Sequence, residues 1–287
     1  MSHIVVLGAT GDLGSVVVDV CHRRDWRVTA PPRAELDLRV EADVRSFFTD
    51  LPAGYIVFFA AFVDRRRAET QRELADNRMI VENVARSARA DWLMFCSSIA
   101  VYGDQPSIPI TEESPVVSAG NYALAKVGAE ISLSTSLADR TPVLNVRLPG
   151  VFGGRGPRNQ SLDRILAGGI RDGIIDLGAN GRVLRDWVSA TEVAEFALTA
   201  AETRPSGLIN LARGESSPID DYVALAMPAL PGVTHLPADR SLQAAHPPFV
   251  FNVRHLSEVV PSWTFPPRAR DILAMAKELW IAERSHG

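Results

Sequence analysis

Tyr122 and Lys126, in the segment NYALAK, are the residues of this chain most able to do chemistry together. Four residues along a helix is one turn, so phenol and ammonium would share a face. The positive charge would then favour the phenolate of a group whose unperturbed pKa is ~10. A phenol tuned in this way passes a proton to or from an alcohol or ketone near neutral pH. The pairing is informative because the chain has 4 tyrosines and only two lysines, Lys126 and Lys277, which puts a chance Tyr-x-x-x-Lys match at about 0.03. The plain alternative is an amphipathic helix with a buried Tyr and a surface Lys.

Two further groups fit the same chemistry. Ser97 and Ser98 close the apolar run WLMFCSS, and in open α/β sheets the C-terminal ends of strands line the ligand crevice. A hydroxyl there can hold a reacting oxygen in place for the Tyr. Gly8, Gly11 and Gly14, with Asp12 and Leu13 between them, form GATGDLG directly after the first apolar run. Glycines at such a turn let the backbone approach a pyrophosphate, and the helix that follows offers free N–H groups to the anion. The spacing is one residue longer than GxGxxG, and its position between a strand and a helix predicts dinucleotide binding rather than a merely structural turn. After the second apolar run, WRVTA, the chain continues Pro31, Pro32, Arg33. An acid at that point would hold the adenosine ribose of NAD and repel the extra phosphate of NADP. A guanidinium lies one residue beyond it instead, so the expected cofactor is NADP with NAD as the alternative, unless Arg33 simply pairs with Glu35.

Competing chemistries lack their residues. No GxSxG or HExxH motif occurs, and the 6 histidines are scattered. Cys21 and Cys96 are far apart without metal-ligand spacing, so neither a metal site nor a disulfide framework is expected, and a reducing cytoplasm fits.

The elements needed to carry these groups are present in alternation. Short continuous apolar runs at 3–8, 26–30, 55–61, 92–98 and 142–150 read as parallel strands buried on both faces, and the stretches between them have helical spacing. The order predicts an α/β fold with a doubly wound parallel sheet of the Rossmann type. After Gly150 comes the Gly- and Arg-rich loop VFGGRGPRNQ. A helix at TEVAEFALTAAE and a strand at GLINLA could then return to the sheet, and a Pro-rich tail from Pro228 ends in a helix near residues 270–281. The expected organisation is a dinucleotide-binding domain of residues 1–150 plus about 190–212, and a small substrate-binding region of 151–189 plus 213–287.

Composition sets the outer limits. The 287 residues are 46% hydrophobic and 22% charged, with a net charge of −4, which supplies a core and argues against disorder. No broad basic field is available for nucleic acid, and the run Arg65, Arg66, Arg67 beside Glu69 and Glu73 reads as a solvated helix face. The apolar opening of five or six residues is too short for a signal-peptide core. No segment approaches the roughly 20 apolar residues of a membrane span.

Taken together, GATGDLG, AELDL, FFAA, Asn77, SSIAVYG, YALAK, RLPGVFG and GANGRVLRDWVSATEVA resemble the extended short-chain dehydrogenase/reductases, the NAD(P)-dependent epimerase/dehydratase group acting mostly on nucleotide sugars. The resemblance runs from Ile4 to about Leu211. It implies that Ser98, four residues before Tyr102, is catalytic with Tyr122 and Lys126. It places Asp37 and Leu38 at the adenine, Ala60 and Ala61 near ribose and pyrophosphate, and Leu148 to Val151 beside the nicotinamide. It further implies that Arg185, in the RD segment, binds substrate phosphate, the alternative being an ion pair with Asp186 or another surface acid, and that a homodimer forms through helices around 69–89 and 121–139. Dehydratases of this type carry an Asp-Glu pair where Ile99 and Ala100 stand, and the fucose-synthase type has a Cys at Ala100. The stretch VYGDQPSIPITEE is closely similar to UDP-galactose 4-epimerases, which points to hydride transfer at sugar C4. Two positions depart from that pattern: Gly150 replaces a diphosphate-holding Asn, and Ser189 replaces a His. The expected activity is therefore a reductase or epimerase of a nucleotide-linked sugar. A reductase of a non-sugar alcohol or ketone, or a non-catalytic dinucleotide-binding regulator, are the alternatives.

Overall fold

The computed structural model describes residues 3–52, 54–59, 71–103, 108–117, 120–155, 161–239, 241 and 246–285. The chain alternates as expected: β1 (His3–Leu7), α1 (Asp12–Arg23), β2 (Arg27–Thr29), α2 (Glu41–Asp50), β3 (Tyr55–Phe59), α3 (Gln71–Ser87), β4 (Trp92–Ser98), α4 (Asn121–Ser136) and β5 (Val143–Leu148). Smaller pieces follow: β6 (Val151–Phe152), α5 (Ser161–Asp172), β7 (Ile174–Asp176), β8 (Leu184–Arg185), β9 (Val188–Ser189), α6 (Ala190–Thr203) and β10 (Gly207–Asn210). The chain closes with β11 (Ser217–Pro218), α7 (Ile219–Ala226), β12 (Thr234–Leu236), α8 (Arg254–Val259) and α9 (Ala269–Arg284).

Six strands form one sheet in the order β10-β5-β4-β3-β1-β2, with every neighbouring pair parallel. GLINLA does return to the sheet, as β10 on β5. All C-terminal strand ends therefore lie along one edge, and the order reverses at β1, which has β2 on one side and β3 on the other. That switch leaves a crevice at the strand ends.

Alternation along each strand builds two cores. Ile4 and Val6 of β1 and Met94 and Cys96 of β4 face α1 and α6, where Val16, Val17, Val20, Val193 and Phe196 cover them. Val5, Leu7, Leu93 and Phe95 face α2, α3 and α4, against Val44, Val84 and Leu133. A third cluster, with Phe152, Leu166, Trp187, Tyr222 and Leu279, holds the later elements together. The 27–29 strand is shorter than the 26–30 run, and β5 stops at Leu148 because Pro149 cannot donate to the ladder. No helix among the described residues is long and apolar enough to cross a membrane. The Arg65–67 run lies outside the described residues.

Candidate active site

The glycine turn has the geometry a dinucleotide needs. Gly8 has φ 87°, a left-handed conformation that suits glycine, and its carbonyl accepts from the Gly11 amide at 3.0 Å. A Cβ added to Gly14 would lie 2.7 Å from the Gly8 carbonyl carbon and 2.9 Å from Ala9 Cα, so α1 packs directly on the turn. Asp12 and Leu13 open α1, and no side chain caps the helix at Gly11, which leaves its first amides for an anion. Burial raises the Asp12 carboxyl above its usual range. The Asp12 carbonyl accepts from Arg155 N at 3.2 Å, which ties the loop after β6 to the same turn.

Arg33 is exposed in the turn after β2, and no bond joins it to Glu35 among the described residues. Four residues on, Asp37 accepts from Arg39 Nε at 2.9 Å and from the Arg39 amide at 3.0 Å. Those bonds to Arg39, with a smaller pull from Arg33, hold its carboxyl down at about 2. Leu38 is fixed by its carbonyl, which accepts from Asn83 Nδ2 at 3.0 Å. Ala60 and Ala61 lie outside the described residues. Leu148 ends β5, and Val151 begins β6 on β9, so these two flank the crevice from the β5 side.

Ser98 is buried at the last position of β4, and its Oγ accepts from Ala100 N at 3.2 Å, capping a short turn over Ile99–Tyr102. Lys126 is 5% exposed, which excludes the surface lysine of the plain reading. Its Nζ donates to the Cys96 carbonyl at 2.7 Å, lies 4.9 Å from the Phe95 ring centre and 5.9 Å from that of Tyr122. One ammonium thus joins the Tyr122 ring to the strand that carries Ser98. Tyr122 is half-buried, whereas Tyr55, Tyr102 and Tyr222 are buried, and burial raises all three phenols, Tyr222 to about 12.

Arg185 makes no ion pair with Asp186. Its NH1 donates to the carbonyls of Leu184 (2.8 Å) and Pro247 (2.7 Å), and its guanidinium lies 5.3 Å from the Phe249 ring centre. Asp186 instead accepts from the amides of Arg213 (3.0 Å) and Gly214 (2.7 Å). Gly150 is explained by Trp187, because a Cβ there would overlap indole atoms Cδ1 and Nε1. Ser189 caps α6 in a reciprocal box with Glu192 and also bonds Asp271. This Ser-x-x-Glu signature is visible in the residues and stands outside the expectations above. Outside them too is a buried polar row beneath the strand ends, in which Glu130 pairs with Arg147. A charged Arg in the middle of an apolar strand was the available signal.

The profile of the NAD dependent epimerase/dehydratase family matches residues 4–212. The chain belongs to this family. It is similar to UDP-arabinose 4-epimerase 1 of Arabidopsis thaliana, at 26% identity with 78% of this chain and 66% of that protein covered. The chain therefore spans just under two thirds of that relative's length. The solved structure of RMD from Pseudomonas aeruginosa complexed with NADPH superposes with a TM-score of 0.81 at 18% identity, covering 98% of each chain. WbmH of Bordetella bronchiseptica, in complex with NAD+, gives 0.79 at 17% identity, covering 96% of this chain and 98% of that one. At such identities the likeness is one of fold.

Proposed function

We propose that this family member is an NADP-dependent reductase or epimerase that transfers hydride at a sugar carbon, C4 being the favoured position, of a nucleotide-linked sugar. The observation that carries the reading is Lys126, one of two lysines in the chain, buried between the Tyr122 ring and the Cys96 carbonyl. The glycine turn fits the dinucleotide because a side chain at Gly14 would fill the backbone cradle. Gly8, Gly11, Asp12, Leu13 and Gly14 would hold its pyrophosphate, with Arg33 reaching the ribose phosphate of NADP and Asp37 and Leu38 the adenine. Leu148 and Val151 would border the nicotinamide. When bound, the nicotinamide supplies or accepts the hydride.

In the reduction direction the Tyr122 hydroxyl gives its proton to the substrate oxygen, and in oxidation the phenolate takes it back. The Lys126 ammonium favours that phenolate and holds the cofactor ribose. Ser98 fixes the substrate oxygen, and Arg185, whose guanidinium meets only carbonyl acceptors and an aromatic face in the described structure, takes the substrate phosphate through its forked donors. A second reading, reduction of a non-sugar alcohol or ketone, draws support from the indole that fills the corner at Gly150. We assign residues 1–150 plus 190–212 to cofactor binding and 151–189 plus 213–287 to substrate binding, the latter carrying a core of its own. Met79, Leu124 and Ile131, 43%, 47% and 60% exposed on the packed pair α3 and α4, support a homodimer through these helices. A cytoplasmic location agrees with two buried free thiols.

The test is turnover of a panel of UDP- and GDP-linked sugars, with Tyr122→Phe as the comparison. The variant should lose about 10²-fold or more in kcat while keeping NADPH affinity, because only the transferable proton is removed. Near-wild-type turnover by Tyr122→Phe would remove Tyr122 from the mechanism.

A further inference from the structure

We propose that Glu130 is a positioning residue for the catalytic centre, locking α4 against the end of β4 through a buried ionic row. The proposal rests on the assignment of Ser98, Tyr122 and Lys126 as the reacting set.

The row is laid across three strands. Ser97 of β4 and Arg147 of β5 are register partners, and Arg147 is in turn the partner of Asn210 on β10, so the three side chains stand abreast on one face of the sheet. That face is the one α4 covers. Glu130 reaches down from α4 and takes Arg147 in a two-pronged contact, Nε to Oε1 at 3.0 Å and NH2 to Oε2 at 2.8 Å, while Oε1 also accepts from the Ser97 hydroxyl. Arg147 NH1 donates to the Tyr102 hydroxyl at 2.9 Å, and that hydroxyl donates to Asn210 Oδ1 at 2.7 Å. No member is more than 7% exposed.

Each carrier of a reacting group touches this row. Ser97 precedes Ser98, and Tyr102 ends the turn that Ser98 caps. Glu130 lies one helical turn beyond Lys126 and two beyond Tyr122. Lys126 grips the Cys96 carbonyl and Glu130 grips the Ser97 hydroxyl, so two successive turns of the helix hold two successive residues of the strand. One turn further on, Ser134 accepts from Asn145 Nδ2 of β5 at 2.8 Å, so three successive turns of α4 are tied to the sheet, and the Glu130 contact is the central one, nearest the residues that lead into Ser98. Hydrophobic packing alone is not directional. Elsewhere on this face β4 uses Leu93 and Phe95, and apolar residues of similar volume at the row would serve stability about as well as a desolvated ion pair. What the ionic row adds is directional geometry, and a reacting constellation must be held to within about 0.5 Å.

Removing one charge alone would strand the other in the core. The test variant is therefore Ser97→Ala/Glu130→Leu/Arg147→Met, with Ser97→Ala alone as a milder form that leaves the ion pair intact. Three quantities decide the question: apparent Tm, NADPH affinity from nicotinamide fluorescence, and amide hydrogen exchange over residues 96–102 and 121–130. For the triple variant we expect Tm and NADPH affinity close to wild type, faster exchange confined to those two segments, and kcat lower by about 10- to 100-fold with KM within about threefold. Ser97→Ala should show a smaller loss of the same kind. Unchanged local exchange and unchanged kcat in both variants would overturn the proposal. So would a kcat that falls only in step with the folded fraction. If wild type turns over no nucleotide sugar, the functional assignment fails, and the exchange data still decide whether Glu130 locks the helix. If Tyr122→Phe is inactive while the triple variant matches wild type, the function stands and the positioning role falls.

Discussion

Replacing Gly14 with Ala should damage both stability and cofactor binding, and the same substitution at Gly128 should do the opposite. Both glycines lie in helices, α1 and α4. A methyl at Gly14 would sit 2.7 Å from the Gly8 carbonyl carbon and 2.9 Å from Ala9 Cα, both closer than van der Waals contact allows. These neighbours are backbone, in a turn whose Gly8 has φ 87°, so they cannot swing aside as a side-chain tip would. Overpacking of this kind costs about 1–3 kcal/mol. Better helix propensity returns at most about 1 kcal/mol. Rigid backbone neighbours put the cost in the upper part of that range, about 2–3 kcal/mol, so the net loss is about 1–2 kcal/mol, or roughly 2–3 °C in Tm for a chain of this size. A methyl at Gly128 meets nothing within 4 Å inside the chain, so within one protomer only the propensity gain remains, about 0.5–1 kcal/mol. Because Gly128 shares the α4 face of Leu124 and Ile131, the comparison is made at a protein concentration where light scattering shows the monomer. Because the Gly14 methyl pushes the turn into the pyrophosphate position, NADPH affinity should also fall by about tenfold or more, with Gly128→Ala unaffected. Thermal unfolding and fluorescence titration of NADPH on both variants measure this. Equal Tm changes, or full NADPH affinity in Gly14→Ala, would refute the argument that α1 is seated on the turn to serve a dinucleotide.

Three other outcomes are expected. Arg33→Ala should weaken NADPH binding by about tenfold and leave NADH unchanged, since only the former carries a ribose phosphate for the guanidinium; NADH binding wild type as tightly as NADPH would reverse the cofactor assignment. Arg185→Ala should raise the substrate KM about tenfold with little change in kcat, whereas an unchanged KM would leave Arg185 as a tether for the Pro247 carbonyl. Asp37, held at about 2 by its bonds to Arg39, contributes stability that is present above the ordinary Asp pKa near 4 and is lost as pH falls through about 2. Acid-unfolding curves of wild type and Asp37→Asn should therefore differ at pH 5 and converge near pH 2, by a small amount because the pair is partly exposed to solvent; curves that diverge further in acid would contradict that sign.

What could be read from the sequence and what could not divides along the range of the interactions. GATGDLG is local: three glycines, a strand before and a helix after, and the turn forms from those residues alone. Tyr122 and Lys126 are one turn apart, so their shared face follows from helix geometry, and the parallel sheet follows from continuous apolar runs. The row beneath them is not local. Tyr102 meets Asn210 across 108 residues, and Glu130 meets Arg147 across 17, through a strand, a helix and a loop that each look ordinary in isolation. Lys126 was legible as a partner of Tyr122, but its burial was not, because burial depends on how closely α4 lies against Phe95 and Cys96.

Gly150 shows how a departure from a family pattern changes meaning once its neighbour is known. Read alone, a glycine in place of a phosphate-holding side chain is a loss, and it weakens the case for a nucleotide substrate. Beside Trp187 it is half of an exchange. The indole occupies the volume any Cβ at 150 would need, and it is buried against Tyr222, whose hydroxyl accepts from the Trp187 amide and donates to the Arg185 carbonyl. The residue that fills the corner is thus bound to the same short segment that carries the candidate phosphate ligand. A Trp187→Ala change would open the corner and also loosen the packing against Tyr222 that holds Arg185, so its effects on substrate KM could not be assigned to either alone. Combined with Gly150→Asn, which returns a polar side chain to the vacated space, the two contributions separate. If the corner is the limiting feature, the double substitution lowers KM for a nucleotide sugar relative to Trp187→Ala alone. If the packing behind Arg185 limits binding, KM stays high in both.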